Sequence, residues 1–204
     1  MQWSLVGSEM CIRDSNGDVL DIEHTEADGE HLVRCTARDG VLIAEMRSRA
    51  HSDTPDPIAT APGGEDFGGR TVIAWDDVVI GQAFPAWRWQ TTQEENDAYT
   101  TQLSDPLPLY AQGVVHPHAI LSMANRAFSR RFVLPAWLHV GSEVKFHRRL
   151  DVGDAIEIHT VPIEKWRKKG HEFIDLYISY LLDGNVAVEV KHTAIFKIAG
   201  ADAA

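Results

Sequence analysis

The residue types best suited to chemistry lie within Leu103–Pro135. Asp105 stands in a loop punctuated by prolines, and Tyr110, His116 and His118 follow it before an apolar-periodic segment begins. A loop that brings polar side chains to a helix N-terminus places them where backbone N–H groups hold an anionic or developing-anionic oxygen. The spacing therefore predicts a functional site at this loop, with Asp105 as its carboxylate.

The run His116-Pro117-His118 also has the H-x-H form of a metal-binding pair. A metal site needs more ligands than two, and no Cys or carboxylate stands at a supporting spacing. We therefore expect no metal at this loop.

Two further histidines, His139 and His147, fall on the strand predicted after the helix. They are eight positions apart, so strict alternation would place both on one face of that strand. In that case His139, Gly141 and Glu143 line the mouth of the site. The alternative, that His139 is a hydrogen-bonded structural residue, stays open at this point.

Two helices must flank the Asp105 loop. Thr92 suits the N-cap of the first, which is predicted over Gln93–Gln102 with acidic residues in its first turn. The second is predicted over His118–Phe132, because its apolar residues recur at helical spacing over the wide arc of a buried helix. Alternating strands are predicted at Phe84–Thr91, Trp137–His147, Ala155–Pro162, Glu172–Leu182 and Ala187–Ile198.

The chain outside residues 71–198 divides into segments of different character. Residues 1–15 show neither a strand nor a helix period, and we expect them to be non-native or disordered. Residues 16–50 contain three predicted strands, with Asp39-Gly40 as a hairpin turn. Residues 51–70, rich in Pro, Gly and Asp, are predicted to be a linker, and residues 199–204 a disordered tail.

Residues 16–50 also look like a repeat of a later segment. Gly17–Ile22 matches Gly153–Ile158 at an offset of 136, and Asp39–Met46 matches Asp183–Val190 at an offset of 144. Two unrelated antiparallel meanders would give a similar signal, because alternation and Asp-Gly turns are common. If the repeat is real, the first unit consists of strands alone and lacks its own helix.

Composition excludes several classes of protein. The chain has 204 residues, of which 44% are hydrophobic and 24% charged, as expected of a soluble globular protein with a real core. A formal net charge of −11 argues against binding to nucleic acid or to an anionic membrane. No apolar run approaches the ~20 residues of a membrane span, no secretory signal is visible, and two cysteines make no disulfide framework. We therefore expect a cytoplasmic protein.

One strand, a long buried helix and then four antiparallel strands predict an α+β hot-dog fold, in which a curved antiparallel sheet wraps around a central helix. Within 71–198, the landmarks Trp89–Asp105, Pro108–Tyr110, Val114–Pro117 and Val144–Asp154 resemble the MaoC-like acyl-CoA hydratase/dehydratase family. With the partial unit at 16–50, the chain resembles the double hot-dog branch of that family, with its first unit truncated.

The resemblance implies a catalytic chemistry. In that family an Asp, and a His five residues after it, activate water for addition to a trans-2-enoyl-CoA. Both groups need pKa values tuned by burial. A His-Gly motif at the helix start polarises the thioester carbonyl through a backbone N–H. Position by position, Asp105 matches the catalytic Asp, and His116 matches the His of His-Gly.

Three positions depart from the family motif. Tyr110 stands where the catalytic His is expected, Leu107 replaces an Asn, and Pro117 replaces the Gly. Tyr is a poor base near pH 7, and Pro has no N–H to offer a carbonyl oxygen. The amide of His118 can substitute only if the helix start is shifted by one residue.

Three functions therefore remain open. The first is an acyl-CoA hydratase/dehydratase with Asp105 as base and Tyr110 as proton donor or carbonyl hydrogen-bond donor. The second is a hot-dog thioesterase in which Asp105 activates water. The third is a non-catalytic acyl-binding or structural half of a double hot-dog protein.

The resemblance also implies how the ligand binds. His118 at the helix start, together with His147, Arg148 and Arg149, is expected to bind the substrate, and the last three are candidates for the CoA phosphates. The basic run Lys165–Lys169 is a further candidate, although solvated loop charges are the simpler interpretation. No cofactor is expected besides the coenzyme A of the substrate, and exposed sheet edges imply a homodimer.

Overall fold

The computed structural model describes residues 2–7, 19–51 and 69–200, and for residues 2–7 it describes the backbone alone. Its α-helices are α1 (Gln93–Leu103), α2 (Pro108–Ala111) and α3 (Pro117–Ser129), and a 3-10 helix covers Trp75–Asp77. Its strands are β1 (Gln2–Gly7), β2 (Leu20–Ala27), β3 (Glu30–Ala37), β4 (Leu42–Arg49), β5 (Thr71–Val72), β6 (Phe84–Trp89), β7 (Phe132–Val133), β8 (Leu138–Phe146), β9 (Ile156–Lys168), β10 (His171–Leu182) and β11 (Asn185–Lys197). None of the helices in these ranges is long and apolar enough to cross a membrane.

Nine of the strands form one antiparallel sheet in the order β2-β3-β4-β1-β8-β11-β10-β9-β6. The two remaining strands, β5 and β7, pair in parallel with each other. The ends of the large sheet are β2 and β6, where unpaired backbone groups can accept another strand. The homodimer through sheet edges stays a prediction, and these two strands are where it would form.

The core lies between α3 and the second half of the sheet. Ile120, Ala124 and Phe128 recur along one side of α3, and each is at most 2% exposed. They pack with buried side chains of β9, β10 and β11 in one apolar cluster. The hydroxyl of Tyr180, fully buried on β10, donates to the carbonyl of Ile120 at 2.6 Å and ties the strand to the helix. This helix-on-sheet arrangement agrees with the predicted α+β architecture.

Both predicted helices are present, with ends within one residue of the prediction except at the end of the second. At the start of α1, the hydroxyl of Thr92 accepts the amide hydrogen of Glu95, and the Glu95 carboxylate accepts that of Thr92. The second helix ends at Ser129 rather than at Phe132. The reason is that Phe132 leaves the helix to pair with Thr71 and buries its ring in the core.

The strands β1–β4 and β8–β11 have the same arrangement on either side of the β1–β8 pair. The order β2-β3-β4-β1 on one side mirrors β8-β11-β10-β9 on the other. The starts of β1 and β8 lie 136 positions apart, at Gln2 and Leu138, as do those of β2 and β9, at Leu20 and Ile156. The repeat predicted from three strands thus extends to a fourth, while the division into domains stays a prediction.

The strand β1 lies within residues 1–15, so residues 2–7 are not disordered, while the non-native origin of the segment stays a prediction. Within it, Leu5 is paired with Met46 of β4 on one side and with Ser142 of β8 on the other, so residues 2–7 belong to the sheet. This pairing is made by backbone N–H and C=O groups, which every sequence has. A strand of six residues is too short for its side-chain alternation to predict it clearly. Residues 8–15, most of the predicted linker and residues 201–204 lie outside the described residues.

A proline at position 5 tests the place of β1 in the sheet. Leu5→Pro removes a ladder N–H and leaves its acceptor without a donor, so we expect the free energy of unfolding to fall by on the order of 1–3 kcal/mol. Hydrogen exchange read by mass spectrometry should become faster in β4 and β8. Leu5→Thr keeps the N–H and serves as the control, and equal protection in the two variants would contradict the pairing.

Candidate active site

The loop that carries Asp105 begins at a tight helix end. Ser104 closes α1 in the left-handed conformation, with φ 52°, and the amide of Asp105 donates to the carbonyl of Thr100 at 2.9 Å. Oδ1 of Asp105 accepts the amide hydrogen of Leu107 at 3.1 Å. The short helix α2, which was not predicted, then starts at Pro108, where a backbone N–H is not needed. The carboxylate is thereby held against the backbone of its own loop.

The three residues predicted to be catalytic, Asp105, Tyr110 and His116, come together. Nε2 of His116 lies 3.4 Å from Oδ2 of Asp105, and the rings of Tyr110 and His116 have centroids 4.4 Å apart. Burial, followed by the negative charge of Asp105 and a hydrogen bond to it, raises the pKa of Tyr110. Tyr110 therefore keeps its proton near neutral pH and serves as a hydrogen-bond donor rather than a base.

His116 is buried in one defined orientation. Its side chain is 7% exposed and lies against the rings of Tyr99 and Tyr110. Its Nδ1 accepts the amide hydrogen of His118 at 3.0 Å, so the neutral ring carries its own hydrogen on Nε2. Within the described residues Nε2 has no well-aligned hydrogen-bond partner. The Nε2–H group of His116 therefore lies next to the Asp105 carboxylate without a hydrogen-bond acceptor among the described residues.

The first three positions of α3 offer no free backbone N–H. Pro117 has none, the amide of His118 is bound to the ring of His116, and the amide of Ala119 donates to the carbonyl of His116 at 2.9 Å. The shifted helix start that would have freed the His118 amide is not observed, because α3 begins at Pro117. These positions therefore supply no equivalent of the donor in the His-Gly motif.

Asn96 of α1 is part of this cluster, and sequence reasoning missed it. The residue is fully buried, and its amide bonds to three backbone groups between Tyr110 and His116. One Asn on a polar helix does not disturb the helix pattern, so hydropathy gave no signal. The available hint is spacing, because Asn96 lies three residues before Tyr99 and so on the same side of α1.

A cavity of about 460 Å³ lies beside the cluster. Tyr110 and both chain neighbours of His116 line one side of it. Apolar side chains make up most of the remaining wall. The segment that follows β8 adds His147, Arg148 and Arg149, three of the four residues predicted to bind substrate. Of the three predicted catalytic residues, Tyr110 lines this cavity, whereas Asp105 and His116 lie behind it in the cluster.

The basic residues of the cavity differ in how firmly they are held. Nε2 of His147, buried in the fold, lies 2.7 Å from the carboxylate of Glu189. Arg148 and Arg149 pair with aspartates at 3.6 and 2.9 Å, but their side chains are 55% and 66% exposed. Exposed ion pairs contribute little free energy, so both guanidinium groups are able to turn toward an incoming anion.

His118, the fourth residue predicted to bind substrate, does not line the cavity. Its ring lies 5.4 Å from that of Tyr99. Burial, followed by the nearby His116, lowers its pKa. The contribution of His118 that the structure does show is its backbone amide, which fixes the ring of His116.

The basic run Lys165–Lys169 is mostly strand rather than loop. β9 continues to Lys168, beyond the end predicted at Pro162. The ammonium group of Lys165 donates to the carbonyls of Trp75 and Val78 at 2.7 and 2.9 Å. Lys165 therefore has a structural role, and no residue of Lys165–Lys169 lines the cavity.

Comparison with known proteins identifies the fold. No protein-family model matches the sequence, and no curated protein matches it. Among solved structures, a MaoC-like dehydratase aligns with a TM-score of 0.60 and 11% identity over 97% of this chain and 74% of its own. This chain has the hot-dog fold of the MaoC-like dehydratases.

Two further structures cover less of this chain and nearly all of their own. The monoamine oxidase regulatory protein from Archaeoglobus fulgius aligns with a TM-score of 0.52 and 15% identity over 63% of this chain and 96% of its own. The MaoC-like dehydratase from Rhodospirillum rubrum aligns with a TM-score of 0.50 and 14% identity over 62% of this chain and 98% of its own. At these identities the likeness shows the fold and not the activity.

His139 is partly buried and does not line the cavity. The pairing of β8 with β11 shifts register just after His139, and this bulge breaks the alternation that had placed His139 with His147. The hydroxyl of Ser142 lies 2.9 Å from both Nε2 of His139 and Nδ1 of His192. Burial, followed by the neighbouring His139, lowers the pKa of His192 to about 3.

The buried His192 should make the protein less stable in acid. Its pKa is about 3 in the fold and about 6.5 in the unfolded chain, so the unfolded chain binds more protons between those values. Stability that is complete above about pH 6.5 is then lost as the pH falls, by about 2 kcal/mol at about pH 5. Urea unfolding at neutral pH and in acid measures this loss. His192→Gln should remove it, and an unchanged pH dependence in the variant would contradict the assignment.

Proposed function

We propose that this chain binds an acyl-CoA thioester and catalyses the reversible addition of water to a trans-2-enoyl-CoA. The observation that carries the proposal is the convergence of Asp105, Tyr110 and His116 beside an apolar cavity. The reaction needs a base for the water proton and a hydrogen-bond donor for the charge that develops on the thioester oxygen. A carboxylate and two donors in one cluster, with the Tyr110 donor lining the cavity, match that requirement.

In the direction of hydration, Asp105 is the base. Its carboxylate accepts a proton from water while the water oxygen bonds to the β-carbon of the enoyl group. The electrons of the carbon–carbon double bond move toward the thioester and form an enolate. The proton on Asp105 then passes to the α-carbon on the same face, which gives a 3-hydroxyacyl-CoA and returns Asp105 to its ionised form. No further reactant is needed.

Tyr110 is the donor to the thioester oxygen. Its raised pKa keeps the hydroxyl protonated, and its place on the cavity wall brings it to a ligand there. An O–H donor directed at a developing oxyanion is an accepted substitute for a backbone N–H. In this proposal the Tyr110 hydroxyl turns its one hydrogen from Asp105 to the thioester oxygen when the ligand binds, and so performs the part that Pro117 cannot.

The cavity is where the CoA part of the ligand would lie. Its apolar walls suit the pantetheine chain and the acyl group, and pockets of this size bury most of a small ligand. Arg148 and Arg149 stand at the segment after β8, exposed and cationic, where they suit the CoA phosphates.

A second function is favoured by one specific observation, the occupied amides at the start of α3. Because Pro117, His118 and Ala119 leave no N–H for a carbonyl, a thioester in the cavity has fewer donors than the family mechanism supplies. The second candidate is therefore a non-catalytic half of a double hot-dog protein that binds acyl-CoA without converting it.

Replacing Asp105 tests the proposed reaction. Asp105→Asn keeps the size of the side chain and an acceptor for the Leu107 amide, but it cannot take a proton from water. We expect hydration of crotonyl-CoA, followed by the loss of enoyl absorbance, to slow by about 10²- to 10⁴-fold. Asp39→Asn, in an exposed turn on the other unit, is the matched control and should leave the rate unchanged.

The same samples separate the other two functions. Release of free CoA, detected with a thiol reagent, would indicate a thioesterase instead of a hydratase. Binding of crotonyl-CoA by the wild-type protein without any turnover would select the non-catalytic half. A rate that Asp105→Asn leaves intact would remove Asp105 as the base.

Charge reversal tests the phosphate contact. Arg148→Glu and Arg149→Glu should each weaken the binding of an acyl-CoA by about fivefold, because an exposed attraction of about 1 kcal/mol is lost or reversed. The effect should shrink as salt is raised. Arg38→Glu makes the same charge change in the β3–β4 turn and should not alter the affinity. Calorimetric titration of all three variants gives the comparison, and equal affinities would refute the contact.

A further inference from the structure

The side chain of Asn96 is a buried polar group that the proposed reaction does not use directly. It is fully buried, and it is the buried residue of α1, whose other side chains are exposed or partly exposed. Burying an amide is unfavourable unless its hydrogen bonds are made. Its bonds are made, and all of them go to the loop that builds the site.

Three hydrogen bonds connect this one side chain to that loop. Nδ2 of Asn96 donates to the carbonyl of Tyr110 at 3.2 Å and to that of Val114 at 2.9 Å. Oδ1 accepts the amide hydrogen of His116 at 2.8 Å. The contacts extend along the loop from Tyr110, which lines the cavity, to His116, which caps α3. Asn96 therefore fixes the path of the backbone between the two donors of the site.

The bond to His116 matters most, because the direction of the imidazole follows from its backbone. The His116 amide is held by Asn96, and the ring then folds back so that Nδ1 meets the amide of His118. That contact leaves the ring hydrogen on Nε2, which lies 3.4 Å from Oδ2 of Asp105. Without Asn96 the His116 amide would be buried without an acceptor, and the ring would lose its fixed support.

We propose that Asn96 is a positioning residue of this site, which acts through His116 to hold the Asp105 carboxylate in the direction that accepts the water proton. The proposal rests on the proposed function, in which Asp105 is the base. It assigns His116 a supporting part, in which its Nε2–H attracts the carboxylate across 3.4 Å without a well-aligned hydrogen bond. The amide of Leu107, which donates to Oδ1 of Asp105 at 3.1 Å, then completes the support of that carboxylate.

Replacement of Asn96 by Leu tests this assignment. Leucine fills a similar volume but makes no hydrogen bonds. Tyr180→Phe is the matched control, because it also removes one buried hydrogen bond, that to the Ile120 carbonyl of α3, and leaves the Asp105 loop untouched. Both variants should lose stability, so stability alone does not decide the question.

The deciding measurement is the protonation of the His116 ring nitrogens, read by ¹⁵N NMR. The wild-type protein and Tyr180→Phe should show hydrogen on Nε2 and a bare Nδ1. Asn96→Leu should show signals that average between the two tautomers. Hydration of crotonyl-CoA by Asn96→Leu should fall on the order of 100-fold, with a displaced acid limb in its pH profile.

The two proposals fail in different ways. If the wild-type protein does not hydrate crotonyl-CoA, the proposed function fails, and the NMR comparison still decides whether Asn96 positions His116. If Asn96→Leu keeps the wild-type tautomer, the positioning assignment is overturned even where the enzyme is active. The same holds if Tyr180→Phe changes the tautomer or the pH profile as much as Asn96→Leu does.

Discussion

Burial of one side of α3 against the sheet is the constraint on which the site depends. The apolar stripe through Ile120, Ala124 and Phe128 admits one rotation of the helix on β9–β11. His116 directly precedes this helix, so a well-packed core also determines where its ring lies. The loop with Asp105 is then joined to that fixed point by the ring contact and by the amide of Asn96.

The start of α3 shows how a stable helix end and a free oxyanion donor exclude each other. Pro117 suits the first helical position, and the ring of His116 caps the next amide, so the end of the helix is well satisfied. The same contacts consume the N–H groups that would otherwise bind a carbonyl oxygen. A carbonyl oxygen in the cavity would therefore have to be bound by polar side chains, of which the Tyr110 hydroxyl is the first candidate.

Periodicity and residue type were enough to predict the central helix, the four strands after it and the group of Asp105, Tyr110 and His116. These features could be predicted because an apolar stripe is read from the spacing of nearby residues and a reactive side chain from its residue type. What the sequence did not reveal depends on partners far along the chain. Asn96 matters through contacts 14 to 20 residues away, and His139 leaves the predicted face of its strand because of a bulge opposite β11. The strand β1 is held by backbone bonds to β4 and β8, and its own six residues do not indicate which strands will be its partners.

The position of β1 between β4 and β8 has a consequence for how the chain folds as it is synthesised. The meander β2–β4 and its partner β1 form from residues within a short stretch, so they can pair early. The other edge of β1 must wait for β8, because Gln2 pairs with Lys145. Until that partner leaves the ribosome, a row of unpaired backbone groups stays open to other nascent chains. Closing the ladder between β1 and β8 is therefore a late, long-range step.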